Sequence, residues 1–340
     1  MASLREWVEG ARLRTLAACV SPVIAGSGLV WFASPTSAPR ATWSVTVDTL
    51  ISAVLCLIVA LGFQVGSNFA NDYSDGIRGT DDDRVGPMRL VGSGAAKPGQ
   101  VKAAAWVCFA IACAAGMVAV ARLILAWWRS SADHAIGGSM VAWILVVLVG
   151  LACVAAAWFY TGGRHPYGYR GAGEIAVFVF FGLVATLGTT YFVSGGAVSN
   201  CDRPSGCEVS VAWPAAIVTA VVMGLMAMAI LVANNLRDVD TDAKSGKITL
   251  AVRLGESRTR GLYLALVVVA GLGVVVVGLM TTLFAWIGLA GLLVAVPSVR
   301  RVVTGERGRQ LVAVLKRTGL AELACALGLS AGWMMGWLYG

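Results

Sequence analysis

Two stretches of this chain concentrate the side chains able to do chemistry. The first contains Gln64, Asn68, Asn71, Asp72, Asp75, Arg78, Asp81, Asp82, Asp83 and Arg84. The second contains Asn234, Asn235, Arg237, Asp238, Asp240, Asp242, Lys244 and Lys247. In the first, Gln64, Asn68, Asn71 and Asp75 follow i, i+4, i+7, i+11, so one helix face carries all four. In the second, Asn234, Asp238 and Asp242 repeat at i, i+4, i+8, which predicts a continuous helical stripe. Both contain Asn-x-x-x-Asp, as Asn71 to Asp75 and Asn234 to Asp238. Clustered carboxylates repel unless something positive compensates them. Their hard oxygens suit Mg²⁺, which keeps several waters and bridges a few carboxylates to substrate phosphates. The interleaved Arg78, Arg84, Arg89, Lys97, Arg237, Lys244 and Lys247 suit the remaining phosphate oxygens. The chemistry that fits is a Mg²⁺-bound diphosphate held at a membrane surface.

A single charge run after an apolar helix is usually a solvated loop. Two runs, each continuing an amide stripe into its helix, argue for a site, because a polar stripe against lipid is costly and must face a cavity or the bundle interior. Single residues carry less. His134 and His165 read as loop residues, and Gly26 and Gly28 as positions of close helix packing. Glu174 and Glu322 read as helix starts, where a carboxylate meets the dipole favourably.

The elements that must position these patches are membrane helices. Of the 340 residues, 58% are hydrophobic and 13% charged, against roughly 45–50% and about 25% in an ordinary globular chain. A span needs about 20 mostly apolar residues. Nine such runs are expected, near 13–33, 45–71, 99–125, 139–160, 173–194, 211–236, 261–280, 282–299 and 319–339. The first is read as a retained helix and not as a signal peptide. This excludes disorder, a soluble enzyme and a secreted disulfide scaffold. It predicts an all-α, polytopic membrane helix bundle.

Charge sets the orientation. With the N-terminus inside, every Lys and Arg except Arg40, Arg122, Arg129 and Arg203 falls on the inner side, as the positive-inside tendency requires. The C-terminus is then outside, and both acidic patches face the cytoplasm. The net charge of +8 is therefore read as cytoplasmic loops and not as a nucleic-acid surface. Cys19, Cys56, Cys108, Cys113, Cys153 and Cys325 lie in apolar runs as small core residues. Cys201 and Cys207 share an outer loop, where a disulfide and two free thiols are both open readings.

Four separated blocks carry a family resemblance. They are Arg12-Leu-Arg14-Thr-Leu with Pro22-Val-Ile-Ala-Gly26; Asn71-Asp72-Tyr73-Ser-Asp75 with Gly79-Thr-Asp81 and Gly86-Pro87-Met-Arg89-Leu-Val91; Tyr160-Thr-Gly-Gly-Arg164-His-Pro166-Tyr-Gly-Tyr169-Arg170-Gly-Ala-Gly-Glu174; and Asn234-Asn235-Leu-Arg237-Asp238 through Asp242 and Gly246-Lys-Ile-Thr-Leu-Ala. With these the chain resembles the UbiA superfamily of intramembrane aromatic prenyltransferases. Within it, the chain is similar to the branch that prenylates 1,4-dihydroxy-2-naphthoate in menaquinone synthesis. Leu13 stands where the family often has proline. Gly79 stands where many relatives have a further Asp, so the matching ligand is sought among Asp81, Asp82 and Asp83, with Asp81 first.

The resemblance implies one domain over residues 1–340, in a bacterial-type cell membrane, that joins polyprenyl diphosphate to the naphthoate with loss of diphosphate and CO₂. It implies that Asp75, Asp81, Asp238 and Asp242 hold Mg²⁺, supported by Asp72. Asn71, Arg84, Arg89, Arg237, Lys244 and Lys247 would bind the diphosphate. Asn68, Tyr160, Arg164, Arg170 and Arg12 would surround the acceptor. Rival readings are a relative with another acceptor (4-hydroxybenzoate, a tetrapyrrole or a phosphorylated sugar), a secondary transporter with polar residues at the bilayer midplane, and a membrane scaffold.

Overall fold

The computed structural model describes residues 2–33, 43–79, 88–130, 136–198 and 211–339; these are helices joined by short turns, with no strand among the described residues. In chain order the helices are α1 (Leu4–Gly10), α2 (Ala17–Gly28), α3 (Trp43–Gly76), α4 (Pro98–Ser130), α5 (Ile136–Phe159), α6 (Gly173–Val177), α7 (Ala185–Val198), α8 (Trp213–Arg237), α9 (Val239–Lys244), α10 (Leu250–Met280), α11 (Ile287–Leu292), α12 (Val296–Val303) and α13 (Leu311–Tyr339). A π-helical stretch, Phe178–Val184, fuses α6 and α7 into one rod, and 3-10 turns link α11 and α12.

Each of the nine apolar runs is helical. Six stretches are long and apolar enough to cross a bilayer: Val47–Gly76, Pro98–Leu125, Gly173–Gly195, Trp213–Arg237, Leu250–Met280 and Leu283–Val303. Ala17–Phe32 and Trp143–Phe159 are shorter apolar helices, and α13 is 29 residues long. The nearly continuous run across 261–299 does divide, because Thr281 leaves helical geometry and Thr282 caps a new turn with its side chain. α10 begins well before residue 261, at Leu250, and kinks at Gly255, whose φ of 75° only glycine adopts freely.

Burial sorts these helices into centre and rim. The apolar window of α8 is 67% buried inside the bundle, against 28% for that of α4. α8 and α13 form the centre, where Met223, Met226, Leu329 and Trp333 interlock with Ala25 and Leu29 of the second helix and its extension. With no difference in apolarity between lipid and core, close packing of small residues holds such helices together. At Gly332 of α13 an added Cβ would stand 2.2 Å from the Phe284 carbonyl oxygen. At Gly66 of α3 it would stand 2.5 Å from the Phe109 ring of α4. The rim exposes Leu145, Leu148 and Leu151 on α5 and Val268, Leu272 and Leu279 on α10, a surface suited to lipid.

Two expectations are corrected. Glu322 does not start a helix; it lies well inside α13 and is fully buried, so no helix-terminal dipole accounts for it. The stripe Asn234, Asp238, Asp242 is not one continuous helix either. α8 ends at Arg237, Asp238 takes φ −99° and ψ 8°, and α9 restarts at Val239. Cys201 and Cys207 lie outside the described residues. The other six cysteines are free thiols, each buried or half-buried in a helix.

Candidate active site

The site is built where α3 and α8 leave the bundle, with the loop between α5 and α6 laid across both. On α3 the amide stripe is used to fix neighbours. Gln64 donates to the Thr15 hydroxyl at 3.1 Å. Asn68 donates to the Ala11 carbonyl at 2.9 Å. Asn71 accepts from the Thr161 hydroxyl at 2.7 Å. These bonds tie the N-terminal segment and the α5–α6 loop to one helix face, as the spacing required.

The carboxylates have separate tasks. Asp72 is fully buried and accepts the backbone N–H groups of Leu90 and Val91 at 2.8 and 3.0 Å. Its charge therefore anchors the segment that carries Arg89. That same segment turns Arg89 onto Asp75, Nη2 to Oδ2 at 3.5 Å, with both side chains buried. Asp75 also accepts from the Tyr169 hydroxyl. In the second patch, Arg237 grips its own neighbour Asp238 with two parallel bonds, Nε to Oδ1 at 2.7 Å and Nη2 to Oδ2 at 2.6 Å. The break after α8 allows adjacent residues to pair in this way. Lys247 approaches Asp242 at 3.7 Å, and its N–H closes a turn on the Asp242 carbonyl at 2.9 Å.

Tyr169 joins the patches. Its hydroxyl is on Asp75, and the Lys247 ammonium sits over its ring, 5.2 Å from the centroid. Its carbonyl accepts from the Ile248 N–H at 2.9 Å. Arg78 covers the ring at 5.4 Å and donates to the carbonyls of Thr161 and Gly163. Ser74 donates to the Thr161 carbonyl at 2.6 Å. Thus α3, the α5–α6 loop and the α9–α10 turn form one hydrogen-bonded unit, with a carboxylate–cation pair on each side of one phenol. Tyr160 lies in the same seam. Burial first, then the neighbouring carboxylates Glu174, Asp75 and Asp242, pushes its phenol well above the ordinary tyrosine range, so it stays neutral.

The structure brings together Asn71, Asp75, Arg89, Tyr160, Arg237, Asp238, Asp242 and Lys247. It places Arg164, Arg170 and Lys244 on the exposed surface beside the seam. Arg12 takes φ 55°, a strained conformation for a residue with a Cβ, and its buried Nη2 has no hydrogen-bond partner. Asp81 and Arg84 lie outside the described residues, as do Asp82 and Asp83. Tyr169 is the linking residue that reading by charge clusters passes over, and Arg78, read there as a phosphate contact, is turned onto the Tyr169 ring and the loop carbonyls. The available signal was a Tyr-x-Tyr pair, Tyr167 and Tyr169, in a polar loop on the same side as both patches.

The donors fit a hard cation bridged to phosphate. They are carboxylate oxygens with no thiol or imidazole among them, and basic groups interleave with them. Among the described residues no three carboxylate, thiol or imidazole groups gather to hold an ion unaided.

Known proteins resemble this chain over nearly its whole length. A protein of Mycobacterium tuberculosis named 1,4-dihydroxy-2-naphthoate octaprenyltransferase is 43% identical over 99% of this chain and 100% of its own length. The Mycobacterium leprae protein of the same name is 43% identical over 97% and 96%. Among solved structures, a UbiA homolog from Aeropyrum pernix superposes with a TM-score of 0.57 at 16% identity, covering 96% of this chain and 98% of its own. A UbiA homolog from Archaeoglobus fulgidus, solved with GPP and Mg²⁺, gives 0.56 at 14% identity, covering 96% and 99%. The model of the UbiA prenyltransferase family matches residues 19–313, from the second helix through both patches to the start of the last. The chain belongs to the UbiA prenyltransferase family.

Proposed function

We propose that this chain transfers a polyprenyl group from polyprenyl diphosphate to 1,4-dihydroxy-2-naphthoate, releasing diphosphate and CO₂ and giving the demethylmenaquinone skeleton. The observation that carries the reading is the seam at Tyr169, which holds a carboxylate–cation pair from each patch on either side of one phenol. The choice of acceptor is supported by the names of relatives 43% identical over nearly the whole chain.

In this reading Asp75, Asp238 and Asp242, with Asp81, hold Mg²⁺. The ion, when bound, neutralises the charge that develops on a departing diphosphate. The protein's own groups do the rest. Arg89, Arg237 and Lys247 exchange their carboxylate partners for diphosphate oxygens, joined by Arg84, Lys244 and the Asn71 amide. Asp72 serves them by holding the Leu90–Val91 backbone, and its part is support, not ligation. Preorganised donors of this kind stabilise developing negative charge without reorganising at the moment of reaction. The isoprenoid tail lies along the apolar helices, whose walls shield the allylic cation from water. The electron-rich ring attacks that cation, and the electrons of the bond to the departing CO₂ return to the ring. Tyr160, Arg164, Arg170 and Arg12 line the acceptor's side, with Asn68 fixing the Arg12 segment through the Ala11 carbonyl.

The chain crosses the membrane nine times, with its N-terminus inside, its C-terminus outside and the site at the cytoplasmic face of a bacterial cell membrane. The distribution of Lys and Arg supports this topology. The test is condensation by the purified protein with a panel of acceptors, read by mass spectrometry. The naphthoate product is expected, and exclusive prenylation of 4-hydroxybenzoate, a tetrapyrrole or a sugar phosphate would overturn the acceptor.

A further inference from the structure

Glu174, at the start of α6, lies directly behind the seam and has no part in the chemistry above. It is 1% exposed. Asn235 of α8 donates from Nδ2 to its Oε1 at 2.8 Å, while its Oε2 is buried with no hydrogen-bond partner. Buried polar atoms are nearly always satisfied, and leaving one bare carries a real cost. The pin from Asn235 fixes where the bare oxygen stands. An added Cβ on neighbouring Gly173 would be 2.9 Å from the Tyr160 hydroxyl, so the backbone of this turn touches the phenol. The carboxyl that carries the bare oxygen is therefore held in the turn that touches the Tyr160 phenol. Glu322 differs: both its oxygens are bare, but Cys19 and Cys325 are its electrostatic neighbours, inside the apolar centre.

Resting on the function proposed above, we propose that Glu174 recognises the aromatic acceptor, its Oε2 accepting a hydrogen bond from one of the two ring hydroxyls. A carboxyl oxygen suits a hydroxyl and repels the acceptor's carboxylate and the diphosphate, so it sets which edge of the ring enters. A site built to bind a hydroxyl discriminates strongly against an analogue lacking it, because its own buried group is then left unpaired.

The experiment compares wild type and Glu174→Gln with 1,4-dihydroxy-2-naphthoate, 1-hydroxy-2-naphthoate and 4-hydroxy-2-naphthoate, at saturating polyprenyl diphosphate and Mg²⁺. Tryptophan-fluorescence titration of each acceptor gives binding without turnover. With the dihydroxy acceptor, Glu174→Gln should raise both KM and Kd by about 10- to 100-fold, the scale of one hydrogen bond to a charged group. The KM for polyprenyl diphosphate should not move. With one of the monohydroxy acceptors, the one lacking the recognised hydroxyl, wild type and variant should be equal. An equal loss on all three acceptors, a matching rise in KM for the diphosphate, or no change in Kd would overturn the assignment. If Glu174→Gln aggregates, Asn235→Ala, which unpins the carboxyl without removing it, must show the same acceptor-selective loss, and a uniform loss there overturns it too. A wild type that makes no naphthoate product would instead overturn the proposed function.

Discussion

The two patches share Asn-x-x-x-Asp but use it differently. On α3 the helix runs unbroken past Asp75, and Asn71 reaches sideways to the Thr161 hydroxyl. On α8 the helix stops at Arg237, and Asn234 offers its backbone carbonyl to the Asp238 N–H at 3.2 Å. The first patch therefore keeps Asp72 and Asp75 on a rigid rod and spends Asp72 on a distant backbone segment. The second bends its chain so that Arg237 and Asp238, adjacent in sequence, pair through two bonds. The first patch takes its cation, Arg89, from another segment, whereas the second carries Arg237 and Lys247 within its own turn. A repeated sequence motif thus fixes where negative charge is placed, while the supporting hydrogen bonds decide what each charge does.

If the comparison is right, one carboxylate on each side is indispensable. Asp75→Asn and Asp238→Asn should each lower turnover by about a thousandfold or more, the scale at which loss of a transition-state electrostatic group is felt, with normal insertion and a monodisperse detergent profile. Wild-type rates in either variant would remove that patch from the site. Asp72→Asn should separate structure from ligation. It should cost about 2 kcal/mol of stability, as loss of charge-assisted bonds to Leu90 and Val91, read as a lower Tm, with an unchanged Mg²⁺ concentration for half-maximal rate. A large rise in that concentration would return Asp72 to the ligand set.

Tyr169→Phe tests the joint between the patches. It removes the bond to Asp75 and leaves the ring for Lys247 and Arg78, so a loss of about tenfold is expected. Tyr169→Leu should lose more, because the cation–ring contacts go as well. Equal losses would show that the ring contributes nothing. The smallest effect belongs to Tyr160. Its pKa is raised, so the phenol is protonated in both the resting and working protein across the range up to about pH 10. The pH–rate profile of Tyr160→Phe should then superimpose on that of wild type after scaling. An alkaline limb present only in wild type would contradict this.

Much of this arrangement was legible in the residues, and the missing parts share a cause. The i, i+4, i+7, i+11 stripe on α3 could be read because one helix carries it and helical period is local. Apolar length likewise located the helices. The role of Asp72 was not legible, since its partners are backbone N–H groups eighteen and nineteen residues away, which no side-chain pattern marks. The break at Asp238 was hidden because Asp-Val-Asp-Thr-Asp continues the helical spacing through the bend. Glu322 could not be placed by its neighbours in sequence, as a helix beginning at Leu311 extends well before it. Tyr169 joins elements from three parts of the chain, and only the folded bundle puts them together.

The central claim is that both patches bind the same diphosphate. Titration of a non-hydrolysable polyprenyl thiodiphosphate with Mg²⁺ into detergent-solubilised protein tests it most directly, comparing wild type, Asp75→Asn, Asp238→Asn and the double variant. Each single variant should weaken binding by at least tenfold, and the double variant should lose much less than the product of the two, as expected for groups that act as one unit. Full affinity in either single variant, or strictly multiplicative losses, would contradict a shared site.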